Sequence, residues 1–319
     1  MTTLSLLLLA ALPAQAQLPD FYRKVSRVTW VVRDVNPVVE GWTKLGLAGR
    51  EDHGEVELPG LGRLRVVTGR LGDVILDFLQ PAASGGPFST FVERHGDGVF
   101  SLMYPTPTLE ALDQEVERLR GLGVGVLQRG RRPGAVGDVS WVYFDTQSEG
   151  KYVLGLIHDP GWTQPTASPS GPRITQFAFV ARDARPVSAF WKKLGFPEMS
   201  FTNPVLRDLE YRGKSTHYQQ ELGWQRHGSV PFEWCVPLKG VPSVYQEFLD
   251  KHGEGLQHIG LNVPDMDKAL AEWKALGFQV SQAGAWGERG KPGSGRFAYM
   301  DTDSIGGVTV ELLWSYRQP

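Results

Sequence analysis

The chain has 319 residues, 41% of them apolar and 21% charged, a balance that fits folded globular units of about two-domain length and argues against disorder. Its 33 basic and 35 acidic residues leave a formal charge of -2, so no broad basic surface is available to track a nucleic acid, and that class of partner is set aside. Cys235 is the only cysteine, which excludes an intrachain disulfide and a cysteine-rich zinc site.

From the N-terminus, an apolar run from Leu4 to Leu12, then Pro13 and the small-x-small triplet Ala14-Gln15-Ala16, reads as a secretory signal over residues 1–17. This predicts a periplasmic or secreted protein. No later segment approaches the ~20 apolar residues of a membrane span, so no membrane partner is expected.

An internal repeat dominates the rest. Asp34, Asp183 and Asp265 are each followed at plus eight by a tryptophan (Trp42, Trp191, Trp273) and at plus eleven and twelve by Leu-Gly: Leu45-Gly46, Leu194-Gly195 and Leu276-Gly277. Each Asp ends a strand-like run, VTWVVRD, FAFVARD or IGLNVPD. It stands where a helix N-cap belongs, and the glycine stands where a helix ends. A looser fourth copy places Thr108 in the capping position before LEALDQEVERLRGLG. The segments HGDGVFSL from His95 and HGEGLQHI from His252 lie 157 residues apart, so a pair of modules has been duplicated. Further β-type runs follow: LRVVTG, DVILDFLQP, VSWVYFD and YVLGLIHD, echoed by LRDLEYRG, VPFEWCVP, RFAYMDTD and GVTVELLW. The Pro, Ser, Thr and Gly-rich stretch at residues 161–172 reads as a linker between an N-terminal domain, 18–160, and a C-terminal domain, 173–319.

Four such βαβββ modules resemble the vicinal-oxygen-chelate superfamily of glyoxalases, bleomycin resistance proteins and extradiol dioxygenases. The stretch FLDKHGEGLQHIGLNVPDMDKAL resembles the methylmalonyl-CoA epimerase branch most closely. The resemblance implies an α+β fold of two tandem cup-shaped barrels, each closed by two modules, with a divalent metal on an inner face. It places ligands early on the first strand and on the last strand of each module. In the second half those positions are Gln176, Glu233, His258 and Glu311, a set that resembles the Gln, Glu, His, Glu ligands of one glyoxalase I branch.

The residue chemistry agrees, since these types bind hard or borderline divalent ions such as Zn, Ni, Co, Mn or Fe. Taken singly, each has an ordinary structural reading. Together, two glutamates inside apolar strands require a partner, and a cation is the simplest one. The matching positions in the first half are Arg27, Asp77, Ser101 and Gly155. An arginine has no acceptor atom, so that half is expected to lack a metal.

Three function classes follow. The favoured one is a metal-dependent lyase or isomerase in which Glu311, Glu233 or both move a proton on carbon beside two vicinal substrate oxygens. An extradiol-type dioxygenase wants two histidines and one carboxylate, which Gln176 contradicts; His217 in KSTHYQQ has no spacing that requires it. The third class is a small-molecule-binding protein without turnover. The repeat tryptophans and Cys235 read as core, and Arg289 and Lys291 as a solvated loop able to meet an anion. The glycine-rich segments lack a phosphate-loop ending, and HGDG and HGEG read as turns before strands. A monomer with paired barrels and a homodimer both fit the repeat.

Overall fold

The computed structural model describes residues 18–58, 60–163, 171–238 and 240–316. The signal segment expected at residues 1–17, and residues 164–170 of the expected linker, lie outside these. No helix among the described residues is long and apolar enough to cross a membrane.

In the first half the chain runs through β1 (Arg27–Val31), α1 (Val35–Lys44), β2 (Ala48–Leu58), β3 (Gly62–Leu71), β4 (Val74–Pro81), α2 (Pro87–His95), β5 (Gly98–Pro105), α3 (Leu109–Gly121), β6 (Val126–Arg132), β7 (Val139–Phe144), α4 (Gln147–Gly150) and β8 (Val153–His158). The second half continues with β9 (Ile174–Val180), α5 (Ala184–Lys193), β10 (Ser200–Thr202), β11 (Leu206–Tyr211), β12 (Lys214–Ser215), β13 (Gln220–Gln225), β14 (Phe232–Pro237), α6 (Val244–Lys251), β15 (Gly255–Asn262), α7 (Met266–Ala275), β16 (Val280–Trp286), β17 (Gly295–Met300) and β18 (Thr309–Ser315). The repeat signature has the expected physical basis. Asp34, Asp183 and Asp265 accept hydrogen bonds from the backbone N–H of Asn36, Arg185 and Lys268, and Thr108 accepts one from Ala111, which satisfies donors that a helix start leaves unpaired.

The strands form two sheets, ordered β2-β3-β4-β1-β5-β8-β7-β6 and β10-β13-β14-β9-β15-β18-β17-β16-β11-β12. At the centre of each, the first strands of two modules meet antiparallel (β1 with β5, β9 with β15) and the last strands flank them in parallel. The architecture is α+β, with two tandem cup-shaped half-barrels. One strand departs from the sequence expectation. LRDLEYRG supplies β11, which pairs with β16 at the far edge, while the place beside β14 is taken by β13, whose alternation is blurred by Gln220, Glu221 and Gln225. Only residues 203–205 separate β10 from β11, so the two ends of this sheet must approach within about 13 Å.

The outer sheet faces and the helices α1, α3, α5 and α7 share one core that includes Trp30, Trp42, Leu112, Phe179, Trp191 and Val310 from both halves. The halves dock reciprocally. Trp42 Nε1 donates to the carbonyl of Ile305 at 3.0 Å, and Trp191 Nε1 to that of Gly150 at 3.1 Å. Close approach explains two glycines: a Cβ on Gly41 would sit 2.5 Å from Ile305, and one on Gly150 would sit 2.5 Å from the Trp191 ring. Trp273 is only half-buried. Each inner face has its own apolar cluster, capped by α2 through Phe88 and Val92 in the first cup and by α6 through Val244, Tyr245 and Leu249 in the second.

Candidate metal centre

Register brings four side chains together on the inner face of the second cup. Ala178 pairs with both Glu233 on β14 and His258 on β15, while Gly260 pairs with both Gln176 on β9 and Glu311 on β18. Side chains two residues apart share a face of a strand. The four expected positions therefore converge, and all are buried. A bulge at Gln257, where Leu256 pairs with Phe179 and His258 with Ala178, shifts the aim of the histidine.

His258 Nε2 lies 3.4 Å from Oε2 of Glu233 and 3.4 Å from Oε2 of Glu311. With metal–ligand bonds of about 2.1 Å, neighbouring donors around one ion sit about 3.0–3.4 Å apart, so the spacing suits a single divalent cation. One donor atom from each of the three residues lies within 4.8 Å of the others. Gln176 Nε2 donates to Glu233 at 2.7 Å and to Glu311 at 3.2 Å, and stands 3.3 Å from His258 Nε2.

The electrostatics point the same way. Burial raises the Glu233 carboxyl, and the neighbouring Glu311 charge raises it further, against the pull of His258. Burial alone would lower His258, yet its hydrogen bonds to Glu233 and Glu311 push it up to about 9. The site is short of positive charge, and a proton on His258 occupies the place that a metal would take.

Above the four side chains lies a cavity of about 380 Å³ walled by Trp224, Trp286, Leu313, Tyr245 and Tyr299. The two tyrosine hydroxyls are 2.7 Å apart, and burial pushes both phenols well up, so they stay protonated. Cys235 is fully buried and its thiol is likewise pushed up by burial, consistent with an inert core residue. His217 is exposed and outside the cluster. Arg289 pairs with Asp208 at 3.0 Å on an outer groove rather than in this cavity.

Residues 175–299 match the model of the Glyoxalase/Bleomycin resistance protein/Dioxygenase superfamily. The second barrel belongs to that superfamily. A triply substituted 4-hydroxymandelate synthase from Streptomyces coelicolor is similar in structure over the whole tandem, with a TM-score of 0.65, 17% identity, and coverage of 93% of this chain and 94% of that one. A xylose isomerase-like TIM barrel/4-hydroxyphenylpyruvate dioxygenase fusion protein is similar at a TM-score of 0.53 and 14% identity over 93% of this chain. The chain spans 50% of that fusion's length. At these identities the likeness shows the fold. No curated protein matches the sequence.

In the glyoxalase-like barrel, the buried Glu233, His258 and Glu311 could together hold a divalent metal ion, and their chemistry leaves the metal's identity open. Sequence reasoning missed Gln257. Its Oε1 accepts from His258 Nδ1 at 2.6 Å, which fixes the tautomer and leaves Nε2 free to ligate. Strand alternation would turn neighbours to opposite faces, and only the bulge lets these two touch. The first cup has the same bulge, with Phe100 in place of Gln257. Its register sets Arg27, Asp77, Ser101 and Gly155 at the four matching positions, where Arg27 Nη1 donates to Asp77 Oδ1 at 2.7 Å.

Proposed function

We propose that the second barrel is a divalent-metal-dependent lyase or isomerase, glyoxalase-like or epimerase-like, that moves a proton on carbon adjacent to two vicinal oxygens of a small substrate. The observation that carries this reading is the donor set, with two carboxylates and one imidazole facing a single point and Gln176 beside them. Gln176, Glu233, His258 and Glu311 would hold the ion. Turned by half a rotation, the Gln176 amide presents its carbonyl oxygen to the same point. The metal supplies Lewis-acid polarisation of the substrate oxygens.

The chain supplies the rest. Glu311 or Glu233 would accept the proton, the one that does so loosening its hold on the cation, which otherwise depresses its basicity. Gln257 keeps His258 in register through Nδ1, and Trp224, Trp286 and Tyr299 shield the reacting carbon from water. We also propose that residues 1–17 direct export. Outside the cytoplasm, thioesters and glutathione adducts are scarce, which favours an oxygen-rich metabolite, a sugar derivative or an aromatic as substrate.

A dioxygenase is the second reading, favoured by the likeness to 4-hydroxymandelate synthase and to the fusion named for 4-hydroxyphenylpyruvate dioxygenase. Oxygen-activating iron is served by two histidines and one carboxylate, and Gln176 stands where one histidine would be needed. Protein purified without chelators or a histidine tag should retain near-stoichiometric metal. Candidate vicinal oxygen compounds are then followed by NMR in deuterium oxide and, in parallel, at an oxygen electrode. Metal-dependent incorporation of deuterium at carbon without oxygen uptake supports the proposal; oxygen uptake with iron alone favours the second reading, and a protein that takes up no metal refutes both.

A further inference from the structure

The first cup contains a cavity of about 170 Å³ on the face that corresponds to the metal face of the second. Its walls are mostly apolar, with Leu61, Leu79, Phe88, Met103, Trp141 and Ile157 among them. Arg27 and Asp77 line the same cavity, and their side chains are only 14% and 11% exposed. An ion pair at the wall of an apolar cup is a poor device for stability alone, because apolar side chains of similar volume would serve as well or better.

The charge balance is uneven. Two guanidinium groups, Arg27 and Arg132, face the cavity, against Asp77 as the single carboxylate in its wall. A guanidinium offers five N–H donors. Among the described residues, Asp77 accepts one of those of Arg27 and the others meet no side-chain acceptor. Arg132 is exposed; among the described residues its guanidinium donates to the Pro133 carbonyl, and its charge acts on Asp77. The first cup thus carries a permanent organic cation, held in place by Asp77, at the strand position where the second carries Gln176 of its metal site.

Size narrows the ligand. An apolar cavity of about 150 Å³ accepts one benzene ring, and this cavity, at about 170 Å³, leaves little more than the room for one polar substituent. We propose that the first cup is a binding site for a small apolar monocarboxylate, of the size of a single-ring aromatic acid, with its carboxylate on Arg27 and Arg132 and its ring between Phe88 and Trp141. The pairing matches guanidinium chemistry, since carboxylates take two parallel N–H bonds from one arginine. This site is independent of the metal reading of the second barrel.

The test is calorimetric titration of the full-length protein with benzoate and with benzamide, its neutral counterpart of the same shape, at millimolar concentration, with the change in intrinsic tryptophan fluorescence, to which Trp141 contributes, as a second readout. Benzoate should bind at one site per chain and benzamide about tenfold or more weaker, the loss of a charge-assisted contact. Arg27→Met should weaken benzoate by a similar factor. Because that change strands Asp77, Val66→Trp is the companion variant: Val66 lines the cavity, so the larger ring fills it while the ion pair stays intact. Absence of benzoate binding, equal affinity for benzamide, or insensitivity to Val66→Trp would each overturn the proposal.

Discussion

His95 and His252 hold each other across the junction of the two barrels: Nδ1 of His95 lies 2.9 Å from the carbonyl oxygen of His252, and Nδ1 of His252 lies 2.6 Å from that of His95. The HGDG and HGEG segments are therefore more than turns before strands. They are the two halves of an isologous contact formed within one chain, as a symmetric dimer forms between two. His252 also places Nε2 2.9 Å from Asp303. Burial would raise that carboxyl, but its hydrogen bonds from His252 and Lys251 hold it down at about 2.

Urea denaturation of the single and double alanine variants tests the contact. His252→Ala should cost about 2 kcal/mol and His95→Ala about 1, since His252 loses two partners and His95 one. The double variant should fall short of the sum by at least about 0.5 kcal/mol. Strict additivity would show that the two bonds act separately and that the barrels are not coupled through them.

Much of this arrangement was legible in the sequence because it rests on strong local chemistry. The capping Asp residues and the Leu-Gly ends mark the helices, and the equal spacing of the modules lets one ligand position predict the next. Glu233, His258 and Glu311 stand at the ligand positions that the family resemblance implies, and the two glutamates draw further notice because charges inside apolar strands need a partner. The helices α2 and α6 did not stand out, being only two turns long, and propensity is weak over so short a span. The placement of β11 is a tertiary outcome. Its residues read as a strand, but which edge it joins depends on the short connection from β10 and on the competing strand β13.

Gln257 should control metal affinity without touching the metal. Its Oε1 is the acceptor for His258 Nδ1, and such outer partners typically contribute about 10–100-fold to affinity. Gln257→Leu should retain the fold by circular dichroism, yet release metal at a chelator concentration about 10–100-fold lower than the wild type. Gln257→Glu, which keeps an acceptor, should restore most of the affinity. Equal metal retention in Gln257→Leu would mean that the imidazole is oriented by packing alone.

Acid should loosen the barrel junction through His227. The ring packs against Phe196 and Phe232 and reaches Tyr104 of the first barrel at 3.3 Å, and its Nδ1 has no partner among the described residues. Burial lowers its pKa to about 4 from 6.5. The unfolded chain therefore takes up a proton first, and stability present above about pH 6.5 is lost as the pH falls toward 4. At about pH 5 this residue alone should cost about 2 kcal/mol relative to pH 7. His227→Phe should flatten that part of the difference in melting temperature between the two conditions. An unchanged pH profile would place the acid sensitivity elsewhere.

The carboxylate pair sets stability and metal binding against each other. Without a cation, His258 is the positively charged partner that Glu233 and Glu311 share, with its proton held up to about 9. Removing that imidazole leaves two buried carboxylates without a positive partner, so metal-free His258→Ala should lose about 3–5 kcal/mol. Glu311→Gln removes one charge while preserving shape, and it should leave the metal-free protein at least as stable as the wild type. The same variant should no longer gain stability on adding metal, because the gain follows the affinity for the folded state. Scanning calorimetry with and without added ions separates these effects. If metal-free Glu311→Gln melts well below the wild type, the glutamate is a structural residue and the site's donor set must be redrawn; if it melts at or above it and ignores metal, stability has been exchanged for ligation.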